Sequence, residues 1–248
     1  MKAVLGVAAL LLGLTGGASA EDKEAKAVID RAIKALGGED ALARADVISW
    51  KSKGKIYLEG TPNGFTLRTT LKGLDRTRAE FGGDFDGSDI EVITVLDGAK
   101  GWRRFNGTTL ELTEHELAGE RQNAYLQAIS ITMLAMKGDG FKVESKGEEK
   151  IDGKPSAVLK ATGPDGKDFT LFFDKETGLP VKRTARIVNY DGNIVDDQTT
   201  FEGHQEFGGI MFATRGTSTR DGIKFAEVVN TEIKVQAKAD TSVFSRPD

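Results

Sequence analysis

Apolar and polar residues alternate over most of the chain from residue 47 onward, and turn dipeptides interrupt the alternation at short intervals. A period of two places successive side chains on opposite faces of a β-strand. Asp-Gly and Asn-Gly favour the positive φ angles that tight hairpin turns need. These dipeptides lie at residues 97–98, 106–107, 152–153, 165–166, 191–192 and 221–222. The pattern predicts about a dozen antiparallel strands in one large, strongly curved sheet.

The clearest hairpin covers residues 167–190. Its first strand places Phe169, Leu171 and Phe173 on one face, and a Lys-Glu-Thr-Gly turn leads into a second strand rich in Lys, Arg and Thr. The aromatic face requires a core or a ligand, whereas the charges of the second strand require water on the other face.

Two helices accompany the strands, which makes the predicted fold class α+β and mainly β. Residues 23–36 have the apolar spacing of an amphipathic helix and end at a Gly-Gly pair. Thr113 and Glu116 fit a capping box, and we expect Gly119 to break or bend the helix before a regular stretch over residues 121–136. The second half of that stretch is nearly all apolar, so it is predicted to be covered on more than one side and to lie against or inside the curved sheet.

The N-terminus carries the pattern of an export signal. Lys2 precedes an apolar run at residues 3–14, which is too short to cross a bilayer as a mature helix, and small residues at 18–20 offer a cleavage site. We therefore expect a signal peptide at residues 1–20, a single domain at residues 21–248, and a periplasmic location. No transmembrane segment is expected in the mature chain, and an uncleaved anchor is the alternative.

Composition narrows the chemistry. The formal net charge is −4, with Lys and Arg scattered through the strands, which argues against a nucleic-acid partner. The chain has no cysteine and two histidines, so disulfides, thiol nucleophiles and thiolate metal sites are excluded. Stability has to come from packing alone.

Metal and catalytic motifs are approached but not completed. His115 and Glu116 begin an HExxH-like segment, but Gly119 stands where the second histidine belongs. Residues 84–89 form an acidic loop that departs from the calcium-binding EF-hand order. The sequence carries no nucleophile elbow, P-loop or dinucleotide fingerprint. We expect no metal, no cofactor and no catalytic site, although a carboxylate-based enzyme stays open as a third hypothesis.

The candidate site is an apolar face shared by several predicted strands and the second helix. Either these side chains form an ordinary core, or they line an apolar cavity of the kind that holds acyl chains. The candidate ligand-binding residues are Trp50, Phe65, Leu67, Phe81, Trp102, Leu126, Ile129, Met133, Phe169, Leu171 and Phe173.

The order of these segments resembles the bacterial outer-membrane lipoprotein-sorting proteins, and more closely their periplasmic carrier-like relatives. The likeness rests on residues 97–102 (DGAKGW), 172–181 (FFDKETGLPV), 209–212 (GIMF) and 244–247 (FSRP), and it covers roughly residues 24–247. It implies an unclosed antiparallel β-barrel, or half-barrel, whose concave side is covered by helices and whose apolar interior takes lipid acyl groups. Trp102, Phe173 and the helix at 126–136 would face that interior. Ala213 departs from the proline of the related pattern. The arginine that latches the lid in the carriers has no clear match, because Arg68, Arg76 and Arg78 alternate outward.

The first functional hypothesis is therefore a non-enzymatic periplasmic protein that binds a lipid, an acyl chain or an acylated protein in an apolar cavity. The alternative is an interaction or envelope-sensing module of the same fold, with a filled core and an envelope protein as its partner.

Overall fold

The computed structural model of the protein describes residues 20–85, 87–189, 191–238 and 240–248. The expected signal peptide at residues 1–20 lies outside the described residues, apart from Ala20. Among the described residues, no helix combines the length and the apolarity needed to cross a bilayer.

The described chain forms three α-helices, two short 3₁₀ helices and thirteen strands. The α-helices are α1 (Ala20–Ala35), α2 (Glu39–Arg44) and α3 (Glu114–Thr132), and the 3₁₀ helices are Leu134–Lys137 and Thr241–Phe244. The strands are β1 (Val47–Leu58), β2 (Thr61–Lys72), β3 (Arg76–Phe85), β4 (Ser88–Asp97), β5 (Lys100–Phe105), β6 (Thr108–Glu111), β7 (Lys142–Ile151), β8 (Lys154–Thr162), β9 (Asp168–Asp174), β10 (Pro180–Val188), β11 (Ile194–Phe207), β12 (Ile210–Arg220) and β13 (Ile223–Gln236).

All thirteen strands belong to one antiparallel sheet, in the order β6-β5-β4-β3-β2-β1-β13-β12-β11-β10-β9-β8-β7. Two meanders, β1–β6 and β7–β13, meet where β1 pairs with β13. The sheet is not closed into a barrel, which confirms the predicted α+β half-barrel. The predicted hairpin at residues 167–190 is also confirmed, because β9 and β10 pair antiparallel.

The C-terminal end of α1 packs against the turn between β11 and β12. Gly37 has a φ of 131°, and a Cβ built on it would lie 2.2 Å from the carbonyl oxygen of Gly209, so only glycine fits there. The Met211 amide donates a hydrogen bond of 2.8 Å to the carbonyl oxygen of Leu36. The predicted Gly-Gly stop therefore also determines where α1 packs on the sheet.

Helix α3 begins at the predicted capping box. Glu116 N donates to Thr113 Oγ1 at 3.3 Å, and Thr113 N donates to Glu116 Oε2 at 2.9 Å. The expected break at Gly119 is wrong, since α3 runs through it without interruption. Gly119 is buried, and a Cβ there would lie 3.5 Å from Val188 Cβ, so the glycine allows α3 to approach β10 closely. The helix ends at Met133 in the left-handed conformation.

The main core lies between the two long helices and the β7–β10 half of the sheet. It combines the buried face of α1, the apolar face of α3 and the inward side chains of β8–β10, and it extends to Trp50 of β1 and Phe212 of β12. Leu126, Ile129 and Leu171 are each at most 1% exposed. A different side of α3 faces the rest of the concave surface. There the helix and the sheet are separated by open space.

Candidate functional site

Two neighbouring hollows lie on the concave face between α3 and the strands β1–β4 and β10–β13. One has a volume of about 480 Å³ and the other about 360 Å³. Leu67, Arg183 and Ser218 line both hollows, so the two adjoin, and together we call them the cavity. This volume is in the range of small-molecule sites, which occupy roughly 300–1,000 Å³.

The smaller, apolar hollow is built around an aromatic pair. The rings of Trp50 and Phe212 are tilted against each other with centroids 5.2 Å apart. Met211 from β12 and Ile131 from α3 add flexible and branched apolar side chains to its wall. Ser52, which is 4% exposed, donates a hydrogen bond of 2.7 Å to Asn230 Oδ1 and so presents little polarity to the cavity.

The larger, polar hollow lies toward the β10–β11 turn, where Asn189 and Gly192 form part of its wall. Phe81 and Ala79 contribute an apolar side from β3. Further apolar residues of the lining are Leu67, Ile187, Val188, Ala226 and Val228. The charged or hydrogen-bonding residues include Arg103, His115, Glu116, Glu120, Asn123, Gln127, Arg183, Asp197, Thr199, Ser218 and Arg220. The smaller hollow includes Arg183, His204 and Arg215 in its lining, so the cavity has one mostly apolar half and one half richer in charged residues.

The helix presents a polar stripe to this cavity. Glu116, Glu120, Asn123 and Gln127 follow one another at helical spacing of three or four residues, and all four line the polar hollow. Most of the apolar residues of α3 point the other way into the core, whereas Ile131 lines the apolar hollow. Leu126, Ile129 and Met133 are buried among the core residues and are 1%, 0% and 0% exposed.

Arg103 joins β5 to this stripe through two ion pairs. Its Nη1 lies 2.7 Å from Glu116 Oε1, and its Nη2 lies 2.9 Å from Glu120 Oε1. Hydrogen bonds from Thr113 are the main cause that lowers the pKa of Glu116. Burial raises the pKa of Glu120, although the Arg103 guanidinium acts in the opposite direction. Arg103 thus pairs with two carboxyl groups whose pKa values are shifted in opposite directions.

Arg183 crosses from β10 toward α3 at the junction of the two hollows. Its Nη1 donates a hydrogen bond of 3.0 Å to the Leu126 carbonyl oxygen, and its Nη2 donates to Thr199 Oγ1 at 3.3 Å. The carboxylate of Asp197 lies 3.5 Å from the same Nη2. Burial lowers the pKa of the Arg183 guanidinium, while Asp197 raises it. The side chain therefore links the sheet, the helix and the cavity.

The predicted site residues separate into two groups. Trp50, Leu67 and Phe81 line the cavity, and Trp50, which is 7% exposed, is also part of the hydrophobic core. Phe65 is 8% exposed and stacks on Phe81, with ring centroids 5.5 Å apart. The remaining apolar candidates, which belong to the packed core rather than to the cavity wall, are Leu126, Ile129, Met133, Phe169, Leu171 and Phe173.

Trp102 lies on the opposite face of the sheet, which corrects its expected position. Arg103 pairs with Thr94, and both residues line the polar hollow, whereas Trp102 pairs with Val95. Because neighbouring residues of a strand point to opposite faces, Trp102 points to the convex side. On that side the C-terminal 3₁₀ helix packs against β3 and β4 and buries Phe244, which is 1% exposed.

Sequence reasoning missed the polar residues of the cavity. Arg183 was part of the charged run that we expected to face water, although its register with Leu171 places it on the buried face of the β9–β10 hairpin. The polar residues of α3 have a helical spacing in the sequence, but we expected the apolar residues of the same helix to face the cavity instead. Polar residues on a predicted concave face are thus a usable signal.

Solved structures with the same fold support the resemblance inferred from sequence. A LolA superfamily protein from Nitrosomonas europaea has a TM-score of 0.59 at 14% identity, over 90% of this chain and 97% of that chain. A DUF1329 family protein from Desulfovibrio piger has a TM-score of 0.56 at 14% identity, over 89% and 97%. A domain assigned to the outer membrane lipoprotein-sorting proteins, from Vibrio parahaemolyticus, has a TM-score of 0.57 at 12% identity, over 89% and 96%.

No family model and no curated protein matches the sequence. At these identities the structural likeness establishes the fold: the chain has the LolA-like fold that the sequence predicts. What the cavity binds has to be argued from its own residues.

Proposed function

We propose that the protein binds the apolar chain of a lipid or of an acylated protein in the cavity between α3 and the concave face of the sheet. The observation that carries this proposal is the apolar hollow of about 360 Å³ walled by Trp50 and Phe212. Burial of an acyl chain there would gain roughly 25 cal/mol per Å² of apolar surface, before the costs of ordering.

The LolA-like fold supports this proposal, because a structural neighbour is assigned to lipoprotein sorting. In our proposal the protein is a non-enzymatic binding protein of the periplasm, exported by a signal peptide at residues 1–20 and formed by one domain at residues 21–248. The partner is a lipid or an acylated protein, and neither a nucleic acid nor a metal takes part.

The two tryptophans allow a direct test. The sequence contains only these two, Trp50 in the cavity wall and Trp102 on the convex side. In a Trp102→Phe variant, all tryptophan emission comes from the cavity. Titration with dibromostearate, which quenches tryptophan on contact, is expected to quench this variant with saturation.

The matched control is Trp50→Phe, which retains only Trp102 and is expected to show little quenching over the same concentrations. Equal quenching of both variants, or none in either variant while circular dichroism shows them folded, would contradict the proposal. The second result would favour the alternative, an interaction module with a protein partner.

The natural ligand can be sought in the same protein. Native mass spectrometry of material purified from the periplasm of its host without detergent is expected to show an additional mass that organic solvent releases as a lipid or acylated species. A clean unliganded mass would again direct the search to protein partners.

A further inference from the structure

Three charged side chains meet on the concave face where β10, β11 and β12 lie side by side. Asp197 of β11 pairs with Arg220 of β12 on one side and with Ala185 of β10 on the other. Arg183 precedes Ala185 by two residues on β10 and therefore lies on the same face of the sheet. The Asp197 carboxylate is 3.5 Å from Arg183 Nη2 and 3.9 Å from Arg220 Nε. We call these three residues the arginine cluster. One carboxylate is thus shared by two guanidinium groups.

The arginine cluster is largely removed from water. The side chains of Asp197, Arg183 and Arg220 are 6%, 12% and 26% exposed. Among the described residues, the buried Nε atoms of both arginines have no hydrogen-bond acceptor. Buried charged groups are costly unless they are paired and hydrogen-bonded. Because two guanidinium groups share the single Asp197 carboxylate, the cluster has a net positive charge that an anionic group can balance.

The neighbouring acidic groups do not remove this net charge. On α3, Glu116 and Glu120 are engaged by Arg103 at 2.7 and 2.9 Å. Asp191 also acts on Arg220, but it lies in the exposed β10–β11 turn, where water screens its charge. The Arg220 guanidinium is 3.4 Å from the centroid of the Phe225 ring, a contact that holds the group without neutralising it.

The arginine cluster adjoins the apolar hollow. Arg183 lines both halves of the cavity, whereas Trp50 and Phe212 line only the apolar half and Arg220 and Asp197 only the polar half. A chain that occupies the apolar half therefore brings the group at its end to the two guanidinium groups. Guanidinium groups bind carboxylate and phosphate oxygens through paired N–H donors.

We infer that the cavity selects single-chain amphiphiles with an anionic head, a carboxylate or a phosphate, which pairs with Arg183 and Arg220 while the chain contacts Trp50 and Phe212. This inference rests on the proposed function, since it gives the chemical class of the ligand for the same cavity. It assigns an orientation as well: head toward the β10–β11 turn and chain toward the start of β12.

The test compares three ligands with the same twelve-carbon chain, which is a chosen probe length of about 15 Å at full extension. Laurate carries a carboxylate, dodecyl phosphate carries a phosphate, and dodecyldimethylamine oxide carries a head without net charge near neutral pH. Isothermal titration calorimetry below the micelle concentration measures each dissociation constant. We expect at least one anionic ligand to bind about tenfold or more tightly than the amine oxide, as one charge-assisted pair would give.

The Arg220→Gln variant distinguishes the contribution of the anionic head to binding from that of the apolar chain. This variant is expected to lower the preference for the anionic ligand below about threefold while the affinity for the amine oxide stays unchanged. Arg186→Gln is the matched control, because its side chain is on the same part of the sheet but is 74% exposed, and it is expected to keep the wild-type preference. Asp197→Asn tests the same idea in the opposite direction, since loss of the shared carboxylate should strengthen the preference.

The outcomes are distinguishable from those of the proposed function. Equal affinity of the wild type for all three ligands would overturn the anionic-head inference and leave chain binding intact. No binding of any of them would refute chain binding, and the inference with it. An unchanged preference in folded Arg220→Gln would also overturn the inference. A tighter constant for laurate assigns the head to a fatty acid, and a tighter one for dodecyl phosphate assigns it to a single-chain phosphate lipid.

Discussion

Arg183 donates a hydrogen bond of 3.0 Å from its guanidinium Nη1 to the backbone carbonyl oxygen of Leu126, and this bond ties β10 to α3 across the concave face. The two residues are 57 positions apart in the chain. The bond fixes the distance between helix and sheet at the junction of the two halves of the cavity, so it helps to keep the cavity open to a defined width.

We expect Arg183→Met to destabilise the protein by about 3 kcal/mol, because it removes this bond and leaves Asp197 with one arginine fewer in a buried site. Urea unfolding measures the loss, and hydrogen exchange should show weaker protection of α3. Arg186→Met, on the exposed face of the same strand, is expected to change stability by less than about 0.5 kcal/mol. Equal effects of the two substitutions would contradict the role of Arg183.

A second prediction concerns Glu120 and Glu116, which Arg103 holds together. Because burial raises the pKa of Glu120, its contribution to stability is full below the pKa of the unfolded chain and is lost as pH rises through the folded value. Glu120→Gln should therefore stabilise the protein at neutral pH relative to the wild type, and the difference should vanish in acid.

Glu116 behaves in the opposite way. Thr113 lowers its pKa, so the stability that it contributes is present above the unfolded pKa and is lost as pH falls. Glu116→Gln also weakens the capping box and should cost about 0.5–2 kcal/mol at neutral pH. Urea unfolding between acid and neutral pH measures how the free energy of unfolding of each variant differs from that of the wild type. Differences of the same sign for the two variants at neutral pH would contradict this assignment.

A third prediction fills the cavity. Ser218 lines both hollows from β12, so Ser218→Leu places an apolar side chain at their junction. We expect about a tenfold or greater loss in dibromostearate affinity, with little change in stability. Thr219→Leu is the matched control, because Thr219 pairs with Gln198 and points to the opposite face. Equal affinities of the two variants would place the ligand elsewhere.

A fourth prediction concerns the β9–β10 turn, which the sequence already indicates. Asp174 Oδ1 accepts hydrogen bonds from Glu176 N at 2.9 Å, Thr177 N at 2.8 Å and Thr177 Oγ1 at 3.1 Å. Burial would raise the pKa of Asp174, but these hydrogen bonds outweigh it and the pKa is lowered. Asp174→Ala should cost about 2–3 kcal/mol at neutral pH, because it leaves the donors without their acceptor.

The sign of its pH dependence follows from the lowered pKa. The stabilisation by Asp174 is complete above the ordinary aspartate pKa and is lost as pH falls through the folded value. The difference between wild type and Asp174→Ala should therefore shrink in acid. Asp174→Asn keeps an acceptor oxygen and should restore part of the stability, and an alanine variant as stable as the wild type would contradict the argument.

The sequence by itself determined the local elements of this protein. The period of two and the Asp-Gly and Asn-Gly turns specify the strands and their pairing with sequence neighbours, since each depends only on nearby backbone and side-chain preferences. The capping box at Thr113 and the glycine stop at Gly37 are local for the same reason. Together they predicted a curved antiparallel sheet, and the resemblance to the lipoprotein-sorting proteins added that the sheet is an unclosed half-barrel.

Only the tertiary structure decided which side chains meet in the cavity. Helix α3 is apolar on more than one side, so the periodicity of its sequence could not show which side faces the sheet. In the structure its polar stripe faces the cavity, whereas Leu126, Ile129 and Met133 lie in the core. Strand alternation gives two faces without saying which is concave. Trp102 therefore fell on the convex side and Arg183 on the concave side, because both depend on strand order and curvature, which no short stretch of sequence encodes.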